Sequence, residues 1–206
     1  MAMNEIDLVE KAADTDYDIH ELLQQRWSPR AFSDKPVDRE LIRQLFDAAR
    51  WAPSSYNEQP WRFIVATKDR PEEFERLSKV LNDHNRKWAT GAPMLVLTVK
   101  KDHFDDDGRP NKVAKHDLGQ AVSYLTFEAT RHDLFVHQMA GILPRKAREL
   151  YNIPEGFTPL TMIAVGYIGD MEQLPEDFRE KEKAKRTRCS VDEIAFRGSW
   201  DDPKQL

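Results

Sequence analysis

The sequence predicts one α+β domain in which strands pack between helices. Helix-like and strand-like segments follow one another without strict alternation, an order that favours a layered α+β fold over a parallel α/β fold. The chain has 206 residues, enough for one domain with a substantial core. Because no repeat or long linker divides it, we expect a flexible segment at 1–16 and a single domain at 17–206.

Hydrophobic spacing and turn residues predict the individual elements. Helices are expected where apolar residues recur every three or four positions, and buried strands where they run continuously. The predicted helices cover residues 18–27, 38–52, 71–88, 112–132 and 144–151. The predicted strands cover residues 62–67, 94–99, 134–138 and 160–167. Pro29 is expected to end the first helix, because the residue before a proline is pushed out of the helical region. The charged tail from residue 172 onward is predicted to be helical in part.

Charge and composition narrow the range of partners. The chain has 36 Asp and Glu against 31 Lys and Arg, and its net charge of −5 argues against nucleic acid as a general partner. The longest apolar runs, 93–99 and 160–168, are too short to span a bilayer, and no N-terminal signal sequence is recognisable. Cys189 is the only cysteine, so no internal disulfide can form. We therefore expect a cytoplasmic protein with no membrane and no nucleic-acid partner.

Several familiar catalytic and binding motifs are absent from the sequence. It contains no P-loop, no G-x-G-x-x-G after a strand, no G-x-S-x-G and no H-E-x-x-H. His132 and His137 are five residues apart, a spacing that does not suit one helical face, so no metal site is predicted. Cys189 follows two arginines in a basic run, but an unreactive thiol near the C-terminus is the simpler interpretation.

The stretch RWSPR carries Arg26, Ser28 and Arg30 at alternate positions. In an extended chain, residues two apart point the same way, so these three side chains can converge on one ligand. Two guanidinium groups and a hydroxyl suit a phosphate, which arginine binds through two parallel hydrogen bonds. The alternative is that both arginines lie at the surface, bridged to the nearby Asp34 and Asp38, and spacing alone favours neither interpretation.

A second stretch, PSSYNEQPW at residues 53–61, is rich in hydroxyl and amide side chains held between prolines. Asn57 and Gln59 each carry a donor and an acceptor on one amide group, a pattern that suits the uracil-like edge of a heterocycle. The alternative is a turn in which Ser and Asn side chains bond their own backbone, and taken alone this is the simpler interpretation. Together the two stretches suggest a pocket for one anionic, amide-rich ligand.

These two stretches, extended at their ends, and two further segments resemble the FMN-dependent nitroreductase family. The matching segments are RWSPRAFSDKPV at 26–37, LFDAARWAPSSYNEQPWRFIV at 45–65, HQMAGI at 137–142 and YNIPEGFTPLTMIAVGYIGD at 151–170. Their order and spacing match over roughly residues 18–200. Each motif is weak by itself, but the ordered combination is specific.

The resemblance implies a three-layer sandwich with a mostly antiparallel central sheet, and an intertwined homodimer with two FMN sites at the subunit interface. The C-terminal extension is expected to wrap the partner. The residues assigned by matching position to one FMN are Arg26, Trp27, Ser28, Arg30, Asn85, Ala140, Gly141, Arg186 and Arg188. Four further residues are expected to reach the same FMN from the other subunit: Pro53, Ser54, Ser55 and Asn57.

Individual roles within this set also follow from the resemblance. Arg26, Ser28 and Arg30 would hold the phosphate, the ribityl chain and the pyrimidine side of FMN. Asn85 would contact the pyrimidine, and the backbone at 140–141 would lie near flavin N5. The basic pair at 186 and 188 would complete the phosphate site. Many relatives carry an acidic residue where this chain has Ala140, so any role of that carboxylate is absent here.

The implied activity is transfer of hydride from NADH or NADPH to the flavin and of electrons onward to a nitroaromatic, quinone or similar acceptor, with ping-pong kinetics. No catalytic side chain is expected, because the flavin carries the chemistry. Two alternatives stay open. One is a specialised relative that dehalogenates its substrate or fragments flavin, and the other is a non-catalytic flavin-binding module.

Overall fold

A four-stranded antiparallel sheet forms the centre of the fold and confirms the predicted α+β class. The computed structural model describes residues 11–200. The strands are β1 (Trp61–Thr67), β2 (Met94–Lys101), β3 (Phe135–Met139) and β4 (Phe157–Gly166), arranged in the order β1-β2-β4-β3. The interior strand β2 is apolar along most of its length because both of its faces are covered.

Helices cover both faces of this sheet. Within residues 11–200 they are α1 (Glu21–Gln25), α2 (Arg39–Arg50), α3 (Pro71–Ser78), α4 (Asp83–Ala89), α5 (Ala114–Arg131), α6 (Pro144–Tyr151) and α7 (Glu176–Lys183). Successive residues of a strand point to opposite faces, so β2 places Val96 in one hydrophobic core and Leu97 in the other. Helices α2 and α5 cover the first core, and α3, α4, α6 and α7 cover the second.

The prediction of one helix at 71–88 is wrong, because a turn separates α3 from α4. In this turn Leu81 forms a β-bridge with Ile142, and the Asn82 N–H donates to the Gly141 carbonyl at 3.1 Å. Both contacts join segments that lie far apart in the sequence. Periodicity along the chain cannot show such contacts, so the break in the helix was missed.

The first predicted helix, 18–27, is shorter than expected. Helix α1 begins after His20, whose Nδ1 accepts the Leu22 N–H at 3.2 Å and so caps the helix. Arg26 already has extended backbone angles, with φ −62° and ψ 118°. The RWSPR stretch therefore leaves the helix before Pro29 is reached.

The segment after RWSPR pairs with the chain at the end of β4. Phe32 forms a β-bridge with Ile168, and the Gly169 N–H donates to the Ala31 carbonyl at 3.0 Å. A Cβ atom on Gly169 would lie 2.3 Å from the carbonyl carbon of Phe32, so this close approach of two backbones requires glycine. The pairing holds the RWSPR stretch beside the sheet.

The predicted flexible segment, 1–16, lies mostly outside the described residues. Of the part that is described, Ala13 N–H donates to the Gln24 carbonyl at 2.9 Å, and Lys11 Nζ donates to the Ala184 carbonyl at 2.9 Å. These contacts place the start of the described chain against α1 and the segment after α7. Between residues 11 and 200, no helix has the length and apolar character needed to cross a membrane.

Candidate functional site

Six of the predicted site residues line one basic cavity of about 240 Å³. The cavity lies between the RWSPR stretch and the chain that follows α7. The predicted residues in its wall are Arg26, Trp27, Ser28, Arg30, Arg186 and Arg188. Arg26 Nη1 lies 3.4 Å from Ser28 Oγ, so the alternation of residues in RWSPR places these two side chains together as expected.

Three arginines of this basic cavity repel one another. Burial lowers the pKa of Arg26 below its ordinary value, and the positive charge of Arg188 lowers it further. Burial also lowers the pKa of Arg186, with additional contributions from the other two arginines. The Arg186 guanidinium donates to the carbonyls of Lys11 at 2.6 Å and Gln24 at 3.0 Å. These neutral acceptors orient the charge without compensating it, so an anion in the cavity would be attracted.

The aspartates that could have paired with the RWSPR arginines have other partners. Asp34 forms an ion pair with Lys68 Nζ at 2.9 Å. Asp38 caps α2 by accepting the N–H groups of Glu40 at 2.8 Å and Leu41 at 3.3 Å. The interpretation of these arginines as surface residues bridged to aspartate is therefore wrong.

Asn85 and Gly141 meet at a second part of the site. The Gly141 carbonyl accepts the side-chain Nδ2–H of Asn85 at 3.2 Å and the backbone N–H of Asn82 at 3.1 Å. A Cβ atom on Gly141 would lie 2.4 Å from Asn82 Nδ2 and 2.5 Å from Asn85 Nδ2, so a larger residue here would displace both amide groups. Sequence reasoning missed Asn82, whose side chain accepts the Asn85 N–H at 2.9 Å and caps α4. Ala140, the remaining predicted residue of this segment, is exposed.

Trp88 connects this pair of amides to the basic cavity. It lies in α4, one turn after Asn85, and is almost fully buried. The guanidinium carbon of Arg30 is 5.8 Å from the centroid of the Trp88 ring. The His137 ring centroid is 4.4 Å from that of the tryptophan. Trp88 therefore packs near Arg30, which lines the basic cavity, and follows Asn85 on the same helix, so these residues form the wall of the site.

His137 holds the backbone of the RWSPR stretch. Its Nδ1 lies 2.8 Å from the Pro29 carbonyl oxygen, so this nitrogen carries the proton and donates it. Burial lowers the pKa of His137 to about 4, and the positive charge of Arg30 acts in the same direction. The imidazole is thus neutral near pH 7. Sequence reasoning gave His137 no role, although it begins the HQMAGI motif.

The loop that contains Pro53, Ser54, Ser55 and Asn57 lies apart from this wall. In the part of the chain that the structure describes, none of its residues lines the basic cavity. The Ser55 N–H donates to the buried Asp117 carboxylate at 3.1 Å, and Ser54 Oγ accepts the Gln59 N–H at 3.0 Å. The self-bonded turn that the sequence left open is therefore present.

The same loop has a strained backbone. Tyr56, Asn57 and Gln59 have φ of 53°, 55° and 49°, a left-handed conformation that non-glycine residues rarely adopt. Such strain persists only where surrounding contacts impose it, and it is common at ligand-binding segments. Tyr56 is 81% exposed, so the loop presents an aromatic residue at the surface.

A second cavity, of about 640 Å³, shares three arginines with the basic cavity. It lies between residues 13–19 and 186–191, and the exposed thiol of Cys189 is part of its lining. Within the described residues, no cluster of His, Cys, Asp and Glu has the geometry to hold a metal ion.

The sequence model of the nitroreductase family matches residues 23–167, more than half of the chain. The chain belongs to the nitroreductase family. This match includes the RWSPR stretch, the 53–59 loop and the HQMAGI motif, and it ends before the arginines that follow α7.

Solved structures support this membership. One structure, described as an oxidoreductase containing FMN, superimposes with a TM-score of 0.86 and 34% identity, over 91% of this chain and 95% of that chain. A nitroreductase family protein from Clostridium difficile 630 has a TM-score of 0.66 and 24% identity, over 96% of this chain and 100% of that chain. The second similarity is too distant in sequence to show more than the fold.

Curated relatives add two similarities. An uncharacterized 15.4 kDa protein in the ask 5′ region of Mycolicibacterium smegmatis is 32% identical over 133 residues, which are 64% of this chain and 87% of that protein. A nitrobenzene nitroreductase from Ectopseudomonas oleovorans is 43% identical over 75 residues, which are 36% of this chain and 32% of that protein.

We predict that His137 makes the protein less stable as the pH falls from about 6.5 to about 4. In this interval the unfolded histidine binds a proton and the folded one does not, so acid favours unfolding, and the contribution is fully present above pH 6.5. His137→Asn keeps an N–H donor but does not titrate. Urea unfolding of the variant should show a smaller loss of unfolding free energy between about pH 7 and about pH 4.5. An equal loss in both proteins would mean that His137 is not held neutral.

Proposed function

We propose that the protein is an FMN-dependent oxidoreductase that uses NADH or NADPH to reduce nitroaromatic, quinone or related acceptors. The observation that carries this proposal is the group of mutually repelling arginines, Arg26, Arg186 and Arg188, around one cavity. Family membership supports it, as does the similarity to an oxidoreductase that contains FMN. An acidic protein that nevertheless concentrates positive charge in one cavity is suited to an anionic cofactor.

The residues of the basic cavity fit the phosphate of FMN. Arg26, Arg186 and Arg188 would supply guanidinium donors, and Ser28 would supply a hydroxyl. Trp27 adds a further argument, because its indole Nε1–H is buried and finds no acceptor among the described residues. Buried donors without a partner are unusual in folded proteins, and an oxygen of the cofactor would satisfy this one.

The wall beyond Trp88 fits the polar edge of the flavin ring. Asn85 offers an amide, and Arg30, which lines the cavity, places a positive charge beside Trp88, one turn after Asn85. When bound, FMN would accept hydride from the nicotinamide and pass electrons to the acceptor. The protein would position the ring and stabilise negative charge at its pyrimidine edge. We infer no acid–base or nucleophilic role for Cys189 or the histidines, and alternating use of one site by two substrates implies ping-pong kinetics.

We propose further that two copies of the chain complete each site. The strained loop with Ser54, Ser55 and Asn57 lies away from the arginines of its own chain, so it is available for the FMN of a partner. The C-terminal segment carries exposed apolar side chains, Ile194 and Trp200, that suit packing on a second copy. The interface should then exceed a standard area of about 1,600 Å². Light scattering tests this, and a stable monomer loaded with FMN would contradict it.

The cytoplasmic location and the absence of membrane or nucleic-acid partners are also part of this proposal. They rest on the acidic composition, the single cysteine and the short apolar runs of the sequence.

The visible spectrum of the purified protein tests the proposed function. The protein should be yellow, acid should release FMN rather than FAD, and anaerobic NADPH or NADH should bleach the flavin bands. Added quinone or nitroaromatic should then restore the colour and allow continued turnover. Bleaching without turnover would favour the non-catalytic flavin module, and turnover confined to halogenated substrates would favour the specialised relative. A colourless protein that takes up no added FMN would refute the proposal.

Arg188→Ala should weaken FMN binding while leaving the fold intact. Loss of one charge-assisted phosphate contact should cost about 1.5–3 kcal/mol, or roughly ten- to a hundredfold in Kd. Riboflavin has no phosphate, so its affinity should barely change. Flavin fluorescence titration measures both ligands, and Arg43→Ala, an exposed arginine on α2, is the matched control. An equal loss for FMN and riboflavin would place Arg188 away from the phosphate.

A further inference from the structure

Among residues 11–200, Glu182 is the single acidic side chain that lines the basic cavity. Of the described residues in its wall, seven are basic: Lys11, Arg26, Arg30, Lys181, Lys185, Arg186 and Arg188. Glu182 lies in α7 and is only 3% exposed. A carboxylate at an anion site repels the ligand, and burying it has a desolvation penalty, so its presence requires a physical reason.

One carboxylate oxygen of Glu182 binds the backbone that carries Arg30. Oε1 accepts the Arg30 N–H at 2.7 Å and the Ala31 N–H at 3.2 Å. From the other side, His137 Nδ1–H donates to the Pro29 carbonyl at 2.8 Å. Hydrogen bonds to an ionised group are stronger than those between neutral groups. The backbone at 29–31 is therefore bound at both its N–H and its C=O groups by side chains of α7 and β3.

The second carboxylate oxygen has a different environment. Oε2 is buried and accepts no hydrogen bond from the residues that the structure describes. Arg30 Nη1 lies 3.7 Å away, a distance that allows electrostatic attraction without a hydrogen bond. The Arg30 side chain is 25% exposed and also lines the cavity. The positive charge of Arg30 therefore attracts both the Glu182 carboxylate and any anion in the cavity.

We propose that Glu182 is a positioning residue with two separable effects on the basic cavity. Oε1 fixes the backbone that carries Arg30, and the negative charge compensates part of the positive charge of the empty cavity. This internal counter-ion stabilises the ligand-free protein and lowers the affinity of the cavity for anions. The proposal relies on the proposed function for the identity of the ligand, but its electrostatic part applies to any phosphate.

Two substitutions separate the effects. Glu182→Gln keeps the oxygen that accepts the backbone N–H groups and removes the charge. It should lower the Kd of FMN roughly tenfold, the size expected for one unit charge acting through the protein over several ångströms. It should also lower the midpoint for stabilisation by inorganic phosphate in a thermal melt, and lower the Tm without ligand. Glu182→Ala removes the acceptor as well, so riboflavin and FMN should both bind more weakly.

Glu180→Gln is the matched control, because it removes the same charge from the same helix. The Glu180 side chain is 74% exposed and lies 3.6 Å from Lys183 Nζ, so its charge is screened by solvent. Its FMN Kd should stay within about twofold of wild type. If Glu182→Gln weakens FMN as much as Glu182→Ala does, or leaves FMN and phosphate affinities unchanged, the electrostatic effect is refuted.

The phosphate titration distinguishes this inference from the proposed function. Tighter phosphate binding by Glu182→Gln in a protein that takes up no FMN would refute the proposed function and support the role of Glu182. If the wild-type protein takes up FMN but Glu182→Gln binds phosphate and FMN no more tightly, the proposed function is supported and the role of Glu182 is refuted. If both Glu182 variants fail to fold, hydrogen exchange in wild type decides. The Arg30 and Ala31 amides should then exchange only through global unfolding, and fast exchange at either would overturn the proposal.

Discussion

Glu182 and His137 bind the backbone at residues 29–31 from opposite sides, and the arrangement of the site follows from this. Their hydrogen bonds determine where the Arg30 side chain leaves the main chain. From there its guanidinium reaches both the basic cavity and the face of Trp88. A buried carboxylate and a neutral imidazole can hold one turn in this way because each uses a different backbone group, one the N–H groups and the other the carbonyl.

The cavity combines this fixed backbone with an excess of positive charge. Burial and the positive charges around them lower the pKa values of Arg26 and Arg186, which is an energetic cost in the ligand-free protein. Sites that must bind an anion tightly often carry such a cost, since removing it would also remove affinity. Glu182 reduces the cost from within the protein, whereas a bound phosphate would reduce it from outside. The balance between these two counter-ions sets the affinity of the cavity.

Most of the helices and strands were predicted from the sequence, but the positions where helices break or end early were not. Strands such as β2 and helices such as α5 lie near their predicted positions because each has a long apolar pattern of one period. The break between α3 and α4 was missed because a β-bridge from Leu81 to Ile142 imposes it. The early end of α1 was missed for a related reason. The path of RWSPR depends on pairing of Phe32 with Ile168, which local propensity does not report.

The sequence by itself predicted the contact between Arg26 and Ser28 and named six residues that line the basic cavity. Alternation in RWSPR placed Arg26 beside Ser28, because side-chain direction in an extended chain depends only on local geometry. The tertiary structure alone decided how these residues are supported. The partners of Arg30, namely Glu182, His137 and Trp88, come from α7, β3 and α4. Contacts between segments so far apart depend on how the layers pack, and no spacing within one segment encodes them.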